Sequence, residues 1–181
     1  MPVSTPRLDL LPLAPPLVAA LVARDLAAAR ALAPFPIEDW TFEGEEHVLA
    51  LRHAQLTADP AEEPWLYRVA QLRETGVVVG RVGFHAPPDE HGTVEIGYSV
   101  APAYRRQGFA TEMAVGLIRW GAEHGARVCL ASVRPDNVAS LAIIGRLGFA
   151  RTGEQVDEID GLEWVFTLTL SGSLPSYDAR R

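Results

Sequence analysis

Residues 93–111, TVEIGYSVAPAYRRQGFAT, decide how the rest of the chain must be arranged. Val94, Ile96, Tyr98 and Val100 fall on one face of an alternating run, and Thr93, Glu95, Gly97 and Ser99 on the other. That is the period of a β-strand, with one apolar face and one carrying a carboxylate. Pro102 cannot donate to a ladder and restricts the residue before it, so the strand stops there. Arg105-Arg106-Gln107-Gly108-Phe109-Ala110 then runs straight into a helical pattern. A strand, a donor-rich turn with one glycine and a helix N-terminus together suit an anion. Free N–H groups of the first turn converge, the macrodipole favours negative charge, and Gly108 lets the backbone approach a ligand closely. Arg105 and Arg106 add charge-assisted donors, and a pyrophosphate is the anion this arrangement suits. No G-K-[ST] follows, which excludes a Walker loop, and the single glycine excludes a dinucleotide fingerprint.

Working outward, the helix opened by Gly108 runs to about His124, with Ala110, Ala114, Leu117, Ile118 and Gly121 on one face and Gly125 at its end. Residues 127–133 form a short buried strand, so strand, helix and strand make a parallel unit. Asp136 or Asn137 caps the next helix, Gly148 ends it, and 150–157 with 162–170 form a last hairpin about Asp160-Gly161. Upstream, 7–13 is the first strand, and 17–33 one helix between Pro15-Pro16 and Pro34. Residues 37–64 are less regular, with Trp40 and Phe42 among carboxylates and a helix over 45–56. Residues 65–73 and 77–84 read as a hairpin. No repeat or linker divides the chain, so residues 1–170 are expected to form a single domain and 171–181 a flexible tail.

The 181 residues, 48% hydrophobic and 22% charged, have the composition of a soluble globular domain. A formal net charge of −7 argues against a nucleic-acid partner. The one cysteine, Cys129, excludes an intramolecular disulfide and reads as a buried core thiol. The apolar run 10–23 is interrupted by Pro12, Pro15 and Pro16 and preceded by Asp9. It therefore reads neither as a signal peptide nor as a membrane span, and a cytoplasmic protein is expected. His47, His53, His85, His91 and His124 show no metal-ligand spacing.

Arg105-x-x-Gly108-x-Ala110 fits the pattern [RQ]-x-x-G-x-[GA], and with the E-I-G-Y strand before it and Asn137…Gly148-Phe149 after it the chain resembles the GNAT superfamily of N-acetyltransferases. Thr5-x-Arg7-Leu8-x-Leu10-x-Pro12-Leu13 and Asn137-x-x-Ser140 are similar to its RimJ/RimL-like branch, which acetylates ribosomal-protein N-termini, and to the small-amine relatives of that branch. The resemblance implies an α/β fold. A central twisted mixed sheet of about seven strands would be splayed between the fourth and fifth, both parallel, and flanked by about four helices. It implies acetyl-CoA as cosubstrate, no metal, and a primary-amine acceptor, either a protein N-terminus or a small molecule. The pantetheine would pair with backbone at Tyr98, Ser99 and Val100, and Arg105, Arg106, Gln107, Gly108, Phe109, Ala110 and Thr111 would cradle the pyrophosphate. Asn137 would bind the pantetheine or else serve only as a helix cap, and Arg134 and Arg146 are candidates for the 3′-phosphate.

Acetyl transfer to an amine requires a proton acceptor, a polarised thioester carbonyl and a stabilised leaving thiolate. Glu95 matches the glutamate that many members use as the base, the alternative being a structural carboxylate. The tyrosine that many members use as the acid falls, counted back from Gly148-Phe149, on Ile144. Ser140 is then the substitute, with Tyr98 and Tyr104 remaining open. Acceptor contacts are expected from 34–64, 85–92 and 155–162, where His85 and His91 read as loop residues, with a place at the border of the cleft the alternative for either. A non-catalytic acyl-CoA-binding module is the rival reading, and monomer and homodimer both remain open.

Overall fold

The computed structural model describes residues 1–38, 41–171, 174, 175 and 177. In chain order the elements are β1 (Val3–Ser4), β2 (Leu8–Pro12), α1 (Pro15–Val22), α2 (Leu26–Leu32), α3 (Glu46–Ala58), β3 (Arg68–Leu72), β4 (Val78–Phe84), β5 (Thr93–Val100), α4 (Phe109–Glu123), β6 (Val128–Val133), α5 (Val138–Arg146), β7 (Ala150–Asp157) and β8 (Gly161–Thr169). They build one mixed sheet in the order β1-β2-β3-β4-β5-β6-β8-β7.

Every neighbouring pair is antiparallel except β5 and β6, which run parallel. Their pairing is confined to Thr93↔Val128, Val94↔Cys129 and Glu95↔Leu130. Beyond Glu95 the strands part, although β5 stays paired with β4 up to Val100 and β6 with β8 up to Val133. The sheet is therefore splayed at its one parallel junction, as the resemblance implies.

The alternation of β5 sorts the two layers. Val94 and Ile96 are buried against α4, whose Met113, Ala114, Leu117 and Ile118 have no exposed surface. Burying each of the larger of these side chains is worth roughly 1.5–3 kcal/mol, so α4 is fixed firmly on this face. On the opposite face α1 and α3 bring Leu17, Val18, Leu49 and Leu56 against Leu66, Val69 and Val78. Cys129 is fully buried, and burial pushes its thiol up to about 12, consistent with an inert core residue.

Two expectations are corrected. Among the described residues there are eight strands rather than seven, because the two-residue β1 adds an edge by pairing with β2. There are five α-helices rather than four, because the run 17–33 breaks in two. Arg24 takes φ 56°, and the Asp25 carboxylate accepts the Ala28 N–H at 3.0 Å, starting a second helix with its own N-cap. Trp40 lies outside the described residues. Of the tail, Tyr177 packs onto Arg7, whose guanidinium carbon is 5.4 Å from its ring centroid.

Candidate active site

The turn after β5 is built for an anion. Arg106 (φ 63°) and Gly108 (φ 81°) both adopt left-handed backbone, and such alternation makes a concave nest of N–H groups. The N–H groups of residues 106–111 have no hydrogen-bond partner among the described residues. Gly108 is also the N-cap of the 15-residue α4, so that the positive end of the helix dipole coincides with the nest. Arg106, Gln107 and Gly108 are exposed, Ala110 and Thr111 partly so, while Phe109 is buried as an anchor. Arg105 Nε donates to Val100 O at 3.0 Å, which folds the side chain back on the strand.

Arg7 and Glu112 hold this turn in place. The Glu112 carboxylate, with no exposed side-chain surface, accepts from Thr5 Oγ1, Arg7 N and Arg7 Nε, each at 2.7 Å. Arg7 Nη2 donates to Gln107 O at 3.0 Å, and the guanidinium lies 4.4 Å from the Phe109 ring centroid. The Thr5-x-Arg7 motif thus ties the N-terminal strand to the first turn of α4.

Along the splay, β5 presents an open backbone edge. His85 N–H donates to Glu95 O and Ala101 N–H to Val79 O, so odd-numbered residues face β4. By antiparallel alternation the N–H and C=O groups of Ile96, Tyr98 and Val100 face the gap. Ser99 faces β4 instead, and Val100 O is taken by Arg105, leaving Val100 its N–H.

The gap opens into a cavity of about 470 Å³, whose walls include Ile96, Gly97 and Tyr98 on one side and Ala131, Val133, Asn137, Ser140 and Ile144 on the other. Among the described residues, Tyr98 Oη is buried and makes no hydrogen bond of ordinary geometry. Burial pushes its phenol up to about 12, with the neighbouring Ser140 hydroxyl opposing the shift. Ile144 is buried, so α5 offers no phenol, and one comes from β5 across the gap. Asn137 Oδ1 accepts the Ser140 N–H at 3.1 Å, which commits that atom to capping α5. Arg134 is held by both Asp136 oxygens, at 3.1 and 3.0 Å.

On the face opposite Tyr98 the cavity is bordered by His85, Asp160 and Glu163. Glu95 Oε2 lies 3.7 Å from His85 Nδ1, and its side chain is 27% exposed. The Glu163 carboxyl is raised, first by burial and then by Asp160, Asp157 and Glu95, against the lowering effect of Gln155. This wall is therefore acidic. The sequence leaves His85 as a loop residue with no chemical role assigned, although it stands opposite Glu95 across the connection between β4 and β5. A second cavity of about 550 Å³ is lined by Arg81 and Glu45, which pair with each other, and by Glu43 and Arg105, whose Nε is taken by Val100 O. The splay, with its open backbone edge and the buried Tyr98 hydroxyl beside Ser140, is the better candidate.

A family model described as acetyltransferase (GNAT) domain matches residues 7–150. The uncharacterized N-acetyltransferase YoaA of Bacillus subtilis is 35% identical over 84 residues, 46% of this chain and 48% of the relative, so the match spans about half of that protein's length. Among solved structures, ribosomal-protein-S5-alanine acetyltransferase from Vibrio fischeri superposes with TM-score 0.64 at 17% identity, covering 97% of this chain and 100% of the other. Mycobacterium smegmatis RimJ in complex with CoA-disulfide gives 0.63 at 22%, covering 94% and 86%. At these identities the likeness to solved structures is one of fold.

Proposed function

We propose that this chain, which belongs to the acetyltransferase (GNAT) family, is an acetyl-CoA-dependent N-acetyltransferase that moves the acetyl group to a primary amine by direct attack in a ternary complex. The observation that carries the proposal is the ending of β5–β6 pairing at Glu95, which frees a strand edge leading straight into the 106–111 nest. Pantetheine would pair with Ile96, Tyr98 and the Val100 N–H, and the pyrophosphate would sit on the N–H groups of Arg106 to Thr111. The Asn137 side-chain amide nitrogen remains for the pantetheine. Both substrates are held in line, which alone supplies much of the acceleration.

The two ends of the cleft divide the proton chemistry. Tyr98 Oη and Ser140 lie at the thiolate end, where a phenol raised to about 12 keeps its proton and stabilises the leaving sulfur by a hydrogen bond. The Glu95–His85 pair is the proton-accepting end, beside the acidic wall of Asp160 and Glu163 that favours an ammonium acceptor. Tyr98→Phe is expected to leave the melting temperature nearly unchanged, because the buried hydroxyl makes no hydrogen bond of ordinary geometry among the described residues. The same change should lower kcat by roughly tenfold or more, about 1.4 kcal/mol of transition-state stabilisation. A melting-temperature loss together with unchanged kcat would contradict the assignment.

The activity is tested by following thiol release from acetyl-CoA with free-N-terminal peptides beginning in Ala or Ser, spermidine and tyramine. Turnover of at least one is expected. Acetyl-CoA binding with no thiol release above the enzyme-free rate would overturn the enzyme reading in favour of an acyl-CoA-binding module.

A further inference from the structure

Gly97 admits a histidine to the mouth of the cleft. A Cβ at that position would lie 3.0 Å from His85 Nε2, so the imidazole sits directly over the backbone of β5, beside the open edge of Ile96 and Tyr98. The main chain of His85 is clamped: its N–H donates to Glu95 O at 2.8 Å, and its carbonyl accepts Arg52 Nη1 at 2.8 Å and Gln55 Nε2 at 2.9 Å. Nδ1 faces the Glu95 carboxylate at 3.7 Å, just beyond hydrogen-bond reach, leaving Nε2 for the cleft. The side chain is 51% exposed, which leaves it accessible to an acceptor.

We propose that His85 Nε2 takes the proton from the acceptor amine, and that Glu95 is a positioning residue that holds the ring with Nδ1 turned away from substrate. The inference rests on the N-acetyltransferase reading above. An ammonium gives one proton to Nε2, and the freed lone pair attacks the thioester carbonyl carbon to form the C–N bond. The C–S bond then breaks with its electron pair on sulfur, and one of the two remaining nitrogen protons passes to sulfur, making amide and thiol. The imidazolium returns its proton to water.

The surroundings suit a base. Burial lowers the His85 pKa, and the charges of Arg52 on α3 and Arg81 on β4 lower it further, against Glu95 on β5 and Asp157 at the end of β7. The net direction is below the ordinary histidine value, which favours the neutral, proton-accepting ring. Activity is then lost only as pH falls through that lowered value.

The test uses His85→Gln, His85→Asn and Glu95→Gln in the full chain. The His85 Cε1–H resonance, assigned by its loss in the His85 variants, should titrate below the ordinary value of about 6.5. It should titrate lower still in Glu95→Gln, because the charge favouring imidazolium is gone; an unmoved midpoint would overturn the pairing. With the peptide or amine accepted in the panel, His85→Gln should lose kcat/KM by about 100-fold or more and lose the acid limb of its pH profile. Glu95→Gln should lose less and keep the limb, displaced to lower pH. A His85→Gln enzyme that keeps rate and limb, with the limb abolished in Glu95→Gln, would make Glu95 the base and overturn the inference alone. Wild-type protein that acetylates nothing would instead defeat the underlying reading. Unchanged acetyl-CoA affinity by calorimetry in all three variants is the control that separates lost chemistry from lost binding.

Discussion

Gly108→Val is expected to abolish tight acetyl-CoA binding while leaving the sheet intact. Gly108 has φ 81°, a conformation in which a β-branched residue is a genuine outlier. A Cβ there would also stand 3.0 Å from Tyr177 Oη and 3.6 Å from Arg7 Nη2. Holding the native turn costs on the order of 1–2 kcal/mol for the left-handed backbone, before those contacts are relieved. The other outcome is relaxation to negative φ, which turns the N–H groups around residue 108 out of the nest. Either route should weaken acetyl-CoA by roughly 100-fold, about 2.7 kcal/mol. Gly108→Ala should fall between Val and wild type. Calorimetric titration of acetyl-CoA into each protein is the check, and wild-type affinity in Gly108→Val would remove the nest from the account.

Arg7→Ala is expected to be the most destabilising single change at the site. It removes the Nε bond to a carboxylate with no exposed surface, the Nη2 bond to Gln107 O and the stacking on Phe109. Glu112 keeps the Thr5 hydroxyl and the residue-7 N–H, but its charge is left uncompensated. Breaking a buried pair in this way costs about 3–5 kcal/mol. For a chain of this size the melting temperature should fall by on the order of 10 °C. Arg7→Lys retains the charge without the fork, so partial recovery is expected. Because Gln107 is released, acetyl-CoA affinity should fall as well. A loss of under about 1 kcal/mol, the range of an exposed pair, would contradict the clamp.

The period-2 and period-3.6 segments were legible because one face of each is apolar and the other is not. The 93–100 strand and the 109–123 helix were read within a residue of their observed ends. The break between α1 and α2 was not, since a run of alanine and leucine satisfies any register. The one signal was Asp25, a cap residue placed three before the Ala28 N–H it accepts. The nest was legible in Gly108 but not in Arg106, whose positive φ no residue preference announces. Contacts distant in sequence were beyond reach. Arg7 and Glu112 are 105 residues apart, and Tyr98 neighbours Ser140 across the gap where β5 and β6 part. Arg68 shows the same limit: it opens β3 with no exposed surface, its guanidinium donating to the carbonyls of Met1, Leu10 and Pro64. The His85–Glu95 pair was within reach, since the two flank the connection between β4 and β5 and the His85 N–H pairs with Glu95 O.

The most direct measurement is a calorimetric titration of the wild-type protein with acetyl-CoA, with NAD and ATP as controls. The account predicts saturable binding of acetyl-CoA at a single site and none comparable for NAD or ATP, because only a pantetheine arm can use the open edge of β5 together with the nest. A folded sample that binds no CoA ester, or that binds ATP as well as acetyl-CoA, would contradict it.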